Sequence, residues 1–212
     1  MDKTFKIGII GSGNIGGTLG IHFAKAGHQV MFSSRNPNQL TDLAEQAGTN
    51  ASTGTIIEAF DFGDVILFAF PFGKVPEVAR KVGSAKGKVI IDANNYYPDR
   101  DGNEPGKEMR KKELLESEWT ALYFPGAHIV KAFNTIWFKR LEEKAFAQSD
   151  RLGVVFTASN AKGREVLETI LRSIHFDGLY LGDLSKSKIT QPNEELYNLD
   201  SLTREELRKR IE

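Results

Sequence analysis

The 212-residue sequence contains no cysteine. Disulfides, thiol nucleophiles, iron–sulfur clusters and cysteine-ligated zinc are thereby excluded. It has no excess of either charge, with Lys plus Arg and Asp plus Glu at 28 each. No global field therefore recruits nucleic acid or an anionic membrane surface. No apolar run approaches the ~20 residues that a membrane-spanning helix needs. The opening Met1-Asp2-Lys3-Thr4 lacks the charged-then-apolar order of a secretory signal, so a soluble cytoplasmic protein is the expectation. Histidine is scarce, and His22, His28, His128 and His175 show neither metal-ligand spacing nor a carboxylate partner. Only His128 reads as lying near a crevice, and a structural role is expected for it. Repeats and low-complexity segments are absent as well.

What is present begins with Ile7-Gly8-Ile9-Ile10, an apolar run that fits a buried parallel strand. Gly11-x-Gly13-x-x-Gly16 follows, then a helical pattern through Leu19, Phe23 and Ala26 that closes at Gly27-His28. Gln29 to Phe32 reads as a second strand. A glycine fingerprint alone is weak, but strand–loop–helix–strand is the setting in which it signifies a dinucleotide site. Gly11, Gly13 and Gly16 then give the tight turn, the close backbone approach and the helix packing that bring a pyrophosphate to a helix N-terminus.

Strand patterns recur at Asn50–Ser52, Val65–Phe70, Lys88–Asp92, Ile129–Phe133, Leu152–Phe156 and Phe176–Leu181, alternating with helical ones. The fold class expected is α/β, a Rossmann-type doubly wound and mostly parallel sheet. Residues 1–184 form the single compact nucleotide-binding domain. Residues 185–212 form a tail, with a capped helix near Thr203–Ile211, that packs on the domain or on a second subunit. A homodimer stays open. Tyr97 to Ser117 is expected to be a solvated loop running into a charged helix near Glu108 to Glu118.

The end of the second strand meets the adenosine ribose in this fold, where a carboxylate would favour NAD. Here Ser33, Ser34 and Arg35 stand instead, with no carboxylate before Asp42. Two hydroxyls and a guanidinium suit a 2′-phosphate, so NADP is the expected cofactor. The later strand ends, Phe70-Pro71-Phe72, Asn94-Asn95-Tyr96-Tyr97 and Ala132-Phe133-Asn134-Thr135-Ile136-Trp137, are aromatic and amide-rich. No acid/base pair stands among them, so no catalytic acid or base is assigned. Such an inventory fits hydride transfer between stacked rings, which asks for positioning and exclusion of water.

The fingerprint, the Ser33-Ser34-Arg35 turn and Val130-Lys131-Ala132-Phe133-Asn134-Thr135-Ile136 resemble the NADP-dependent oxidoreductases related to the deazaflavin coenzyme (F420)-dependent NADP reductases. The same motifs are similar to those of the cytosolic NADPH domain of six-transmembrane ferric reductases. The resemblance covers about residues 4 to 197. It implies that Ser12, Gly13, Asn14 and Ile15 hold the pyrophosphate and that Ser34 and Arg35 hold the 2′-phosphate. It also implies that Pro71, Asn94, Ala132, Phe133 and Asn134 border the nicotinamide and acceptor ring, and that no side chain is an essential proton donor; Phe70 joins these candidates from its strand end. Phe70-Pro71-Phe72, Tyr97 to Ser117 and Trp137-Phe138 depart from the deazaflavin enzymes and bear on the acceptor.

The function expected is hydride transfer between NADPH and a flat flavin-type or deazaflavin (F420) acceptor. Two alternatives remain at this stage. One is a redox-sensing NADP(H) module without turnover, recognisable by an acceptor pocket filled by Trp137, Phe138 or the Tyr97 loop. The other is a small carbonyl or imine reductase using His128, Lys131 or Tyr96 as an acid.

Overall fold

Ile7, Ile9 and Ile10 are almost wholly buried, because the strand they form lies in the middle of a sheet covered on both faces. A computed structural model describes residues 3–199 and 201–212. Met1 and Asp2 of the opening tetrapeptide and Asp200 of the tail lie outside the described residues. The first half of the chain runs β1 (Lys6–Ile10), α1 (Asn14–Lys25), β2 (Gln29–Ser33), α2 (Thr41–Ala47), β3 (Ala51–Gly54), α3 (Ile56–Phe62), β4 (Val65–Phe68), α4 (Val75–Lys81) and β5 (Val89–Asp92). There follow α5 (Pro98–Asp101), α6 (Glu104–Lys112), α7 (Glu116–Tyr123), β6 (His128–Ala132), α8 (Phe138–Lys144), β7 (Gly153–Ala158), α9 (Ala161–Ser173), β8 (Asp177–Tyr180) and α10 (Arg204–Ile211).

The strands form one sheet in the order β3-β2-β1-β4-β5-β6-β7-β8. All neighbours are parallel except β6 and β7, which pair antiparallel through Val130–Ala158 and Ala132–Phe156. The first six strands thus have the doubly wound order in which the chain reverses direction across the sheet at β1 and β4, leaving a crevice at their carboxyl ends. Successive side chains of each strand feed opposite faces. Ile9 joins Leu19, Phe23 and Phe32 on one side, whereas Ile10 joins Phe60, Phe68 and Trp119 on the other.

Three glycines show why the first turn is built as it is. Gly11 sits at φ +95°, and a Cβ there would lie 2.3 Å from the Ala69 carbonyl oxygen. At Gly16 it would lie 1.9 Å from the Gly11 carbonyl oxygen, so that site serves the packing of α1 on the loop. At Gly13 a Cβ would meet nothing within 4 Å. Protein packing therefore gives no reason for glycine at position 13, and space for a ligand does.

Tyr97 to Ser117 departs from the expected solvated loop: it folds as α5, α6 and the start of α7. Its charges pair along the outer surface, Lys107 with Glu104 at 2.7 Å and Lys112 with Glu108 at 2.8 Å. Met109, Trp119 and Ser117 are buried against the sheet. Charge-dense composition concealed an amphipathic pattern interrupted at Glu113, whose left-handed φ of 54° ends α6. The tail folds back onto the same molecule. Leu196 and Leu207 bury with Val155 and Leu179, and Ser117 and Ser187 share a hydroxyl–hydroxyl bond of 2.8 Å. Thr203 and Glu206 cap α10 reciprocally.

Candidate functional site

The carboxyl ends of the strands open into two adjoining clefts that share Phe70 and Pro71. The smaller, about 450 Å³, is lined by Gly11, Ser12, Ser33, Ser34, Arg35 and, from the opposite wall, Lys74 and Lys81. The larger, about 680 Å³, is lined by Asn14, Ile15, Asn94, Phe133, Asn134 and a set of aromatic residues. The α1 N-terminus separates them. Its N-cap, Gly13, makes no side-chain capping bond, so the first-turn N–H groups and the positive end of the helix dipole face this crevice. One groove thus runs from the Ser33-Ser34-Arg35 turn, past the glycine loop, to the ends of β5 and β6.

At the small end the predicted residues divide. Ser12 Oγ donates to the Ser33 carbonyl and accepts from the Ser33 N–H, each at 3.1 Å, tying the glycine loop to β2. Ser33 is buried, and its hydroxyl donates to the Ile9 carbonyl at 2.7 Å. That proton is committed to the β1–β2 junction, which leaves Ser34 and the exposed Arg35 as the outward groups. Glu77, on the far wall, pairs with both Lys74 at 3.1 Å and Lys81 at 2.7 Å. These two lysine bonds hold its carboxyl well below the ordinary range, at about 2.

At the large end, Asn94 accepts the Phe70 N–H at 2.8 Å through its side-chain oxygen, joining the ends of β4 and β5. Asn134 donates to Asn95 Oδ1 at 3.0 Å and to the Thr190 carbonyl at 2.8 Å, while Asn95 donates to the Asn134 carbonyl at 2.7 Å. Two polar atoms in this wall are buried without a partner among the described residues: the Asn94 amide nitrogen and the Asn134 amide oxygen. One is a donor and the other an acceptor, the complement of a primary carboxamide, and leaving both unmade costs about 1–3 kcal/mol each. Phe133 holds a left-handed φ of 64° although it is bulky and buried. Such a conformation costs about 1–3 kcal/mol and concentrates at ligand sites; here it turns the chain so that Phe133 and Asn134 both face the cleft.

Ala132, by contrast, is fully buried in the sheet core and lines neither cleft. Gly13 and Gly16 line neither cleft wall; they shape the loop. His128 stands at the amino end of β6, away from the cleft, bonded to Asn160 at 2.8 Å. Tyr96 donates its hydroxyl to the Gly102 carbonyl at 2.9 Å outside the cleft.

Lys131 is buried beneath the floor rather than in the wall. Its Nζ donates to the Asn94 carbonyl and lies 3.6 Å from Asp92 and 3.4 Å from Glu116. Asp92 accepts from the Asn94 N–H and the Thr120 hydroxyl, each at 3.0 Å, and Glu116 accepts from the Tyr96 N–H at 3.2 Å. Burial raises the Glu116 carboxyl above its usual value, opposed by Lys131. This network holds the Asn94–Tyr96 segment in place. A lysine between Val130 and Ala132 in an apolar strand was its only sign in the sequence.

Residues that the sequence alone did not place also line the large cleft: Arg100, Tyr197 and Asn198. Tyr97 and Tyr197 hydrogen-bond through their hydroxyls, and the Arg100 guanidinium lies 4.8 Å from the centre of the Tyr97 ring. Burial, then the Tyr197 hydroxyl, push the Tyr97 phenol up to about 12. Trp137, Phe138 and Tyr97 stand in the cleft wall and leave its volume open.

Gly13→Ala and Gly16→Ala separate these roles. Gly16→Ala is expected to destabilise by about 2 kcal/mol or more from overpacking. Gly13→Ala should change stability by less than about 1 kcal/mol yet weaken NADPH binding about tenfold, its methyl entering the space for the pyrophosphate. Thermal unfolding and a fluorescence titration with NADPH distinguish the two.

Residues 6–96 match the family described as NADP oxidoreductase coenzyme F420-dependent. Among curated proteins the chain is similar to metalloreductase STEAP3 of Rattus norvegicus, 22% identical over 86% of this chain and 35% of that protein. Metalloreductase STEAP2 of Mus musculus is 26% identical over 86% of this chain and 34% of that one. The chain thus spans about a third of the length of these relatives. Among solved structures, a hypothetical protein of Sinorhizobium meliloti superposes with a TM-score of 0.80 at 24% identity, covering 93% of this chain and 94% of that one. A putative F420-dependent NADP-reductase of Arthrobacter sp. fb24 gives 0.66 at 19%, covering 87% of each. A reductive aminase of Aspergillus terreus in complex with NADPH gives 0.58 at 20%, covering 87% of this chain and 57% of that one. These structural likenesses concern the fold. Over residues 6–96 the chain is therefore similar to the coenzyme F420-dependent NADP oxidoreductases.

Proposed function

We propose that this protein binds NADPH along the continuous groove and passes its hydride to a flat, flavin-type or deazaflavin acceptor in the 680 Å³ cleft. The observation that carries this reading is that the cleft is open at the end of a dinucleotide groove. Its walls are aromatic and amide-rich, with neither carboxylate nor histidine among the lining residues. A filled cleft would have favoured a sensing module without turnover.

When bound, NADPH supplies the hydride from its reduced nicotinamide. The chain's part is positional. The glycine loop and α1 N-terminus receive the pyrophosphate, and Arg35 with Ser34 receives the 2′-phosphate. The unpaired Asn94 donor and Asn134 acceptor suit the nicotinamide carboxamide. Phe70, Phe133 and Trp137 offer ring faces that exclude water from a stacked acceptor.

Stopped-flow oxidation of NADPH with deazaflavin, FMN, FAD and ferric chelates tests the proposal. Rapid oxidation with a flavin-type ring is the expected result. No oxidation by any of the four would overturn the acceptor class.

A further inference from the structure

We propose that the hydroxyl pair of Tyr97 and Tyr197 is the proton donor of this site, so that its acceptors are those whose hydride adduct carries negative charge on nitrogen or oxygen. The inference rests on the NADPH-dependent reduction proposed above and names the residues that complete it.

Both tyrosines line the large cleft beside Phe133, Asn134 and Trp137, and their hydroxyls bond to each other. In such a pair one proton lies between the two oxygens. The second is left to donate elsewhere, and the open volume is on the cleft side. The pair is assembled from distant segments, one at the start of α5 and the other in the C-terminal tail, 100 residues apart. Tail packing through the buried Leu196 presents Tyr197 there.

Arg100, paired with Asp101, stands against the Tyr97 ring. Its guanidinium lies over the Tyr97 ring and donates to the Asn95 carbonyl at 2.5 Å. Asp101 pairs with it at 2.9 Å, so the cation is held in place. An ordinary phenol keeps its proton at neutral pH, so the pair stands loaded for donation. The other candidate acids, His128, Lys131 and Tyr96, do not line the cleft.

A C–H bond of the reduced nicotinamide breaks, and its electron pair forms a new bond to hydrogen on the acceptor. The displaced π pair settles on the acceptor's nitrogen or oxygen. A tyrosine O–H bond breaks and its proton goes to that atom. Oxidised NADP and a tyrosinate remain; the tyrosinate accepts a hydrogen bond from its partner hydroxyl, lies beside Arg100, and regains a proton from water. A ketone or imine needs this proton, and a neutral flavin takes it to reach the fully protonated reduced ring. A cationic acceptor such as N-methylacridinium does not, because its hydride adduct is already neutral.

The test compares the unaltered protein with Tyr97→Phe/Tyr197→Phe, using FMN, a cyclic imine, a ketone and N-methylacridinium. NADPH binding by nicotinamide fluorescence and thermal unfolding are followed alongside. The expected result is a fall of about 100-fold or more in kcat for the preferred neutral acceptor relative to N-methylacridinium. The NADPH dissociation constant should stay within about threefold, since general-acid loss acts on the transition state and not on cofactor affinity. Whether FMN or the imine and ketone respond identifies the acceptor's source. An equal loss for neutral and cationic acceptors, or no loss for either, would overturn the donor while leaving the reductase reading intact. Failure of the unaltered protein to reduce any of the four would remove both.

Discussion

Replacing Arg35 with Asp is expected to weaken NADPH binding by about 100-fold or more while changing NADH binding by about threefold or less. A charge-assisted bond to a phosphate contributes about 1.5–3 kcal/mol, and 100-fold corresponds to about 2.7 kcal/mol. The guanidinium is exposed at the end of β2 and lines the small cleft with Ser34. The introduced carboxylate repels a 2′-phosphate but can accept the ribose hydroxyls of NADH. Lys74 and Lys81 on the opposite wall are neutralised in part by Glu77, so they do not replace the lost charge. Parallel titrations with the two reduced dinucleotides decide the matter. Equal losses for both would remove the phosphate assignment.

Lys131→Met should be the most destabilising single change near the site, by about 3–5 kcal/mol, because it strands Asp92 and Glu116 without their cation. The loss should depend on pH in a defined direction. Glu116 already titrates above its unfolded value through burial, and Lys131 is what restrains that rise. Its favourable contribution is full below the unfolded carboxylate value of about 4.3 and is lost as pH rises through the folded one. Removing Lys131 lifts the folded value further, so the deficit should be larger at about pH 8 than at about pH 5. Urea unfolding at the two pH values measures it. Adding Glu116→Gln should recover part of the loss. A deficit independent of pH would mean that Lys131 acts through packing alone.

Much of the first half of the chain was legible from local pattern. Ile7 to Gly16 combines a strand period, a helix period and a glycine whose φ is positive, and all three agree. The Thr55–Glu58 capping box marks the start of α3 with equal directness. The part of Tyr97 to Ser117 expected as loop ahead of the charged helix folds instead as α5 and α6, because charged residues hide the few that bury, Met109 and Ser117 among them. Within the site, Ser33 and Ala132 carry the right motif positions but face inward. A motif gives residue order, and one step along a strand reverses which face a side chain takes.

By itself the sequence pointed to the dinucleotide groove and to NADP. The glycine spacing and the Ser33-Ser34-Arg35 turn act within about thirty residues, over distances that strand and helix geometry set in advance. Only the tertiary structure decided what faces the large cleft. Tyr97 and Tyr197 are brought together by the tail's packing on β7 and β8, and Lys131 finds Asp92 and Glu116 through sheet register and the seat of α7. Those contacts join segments up to 100 residues apart. No local period encodes them, because they exist only once burial of the apolar faces has fixed the layers.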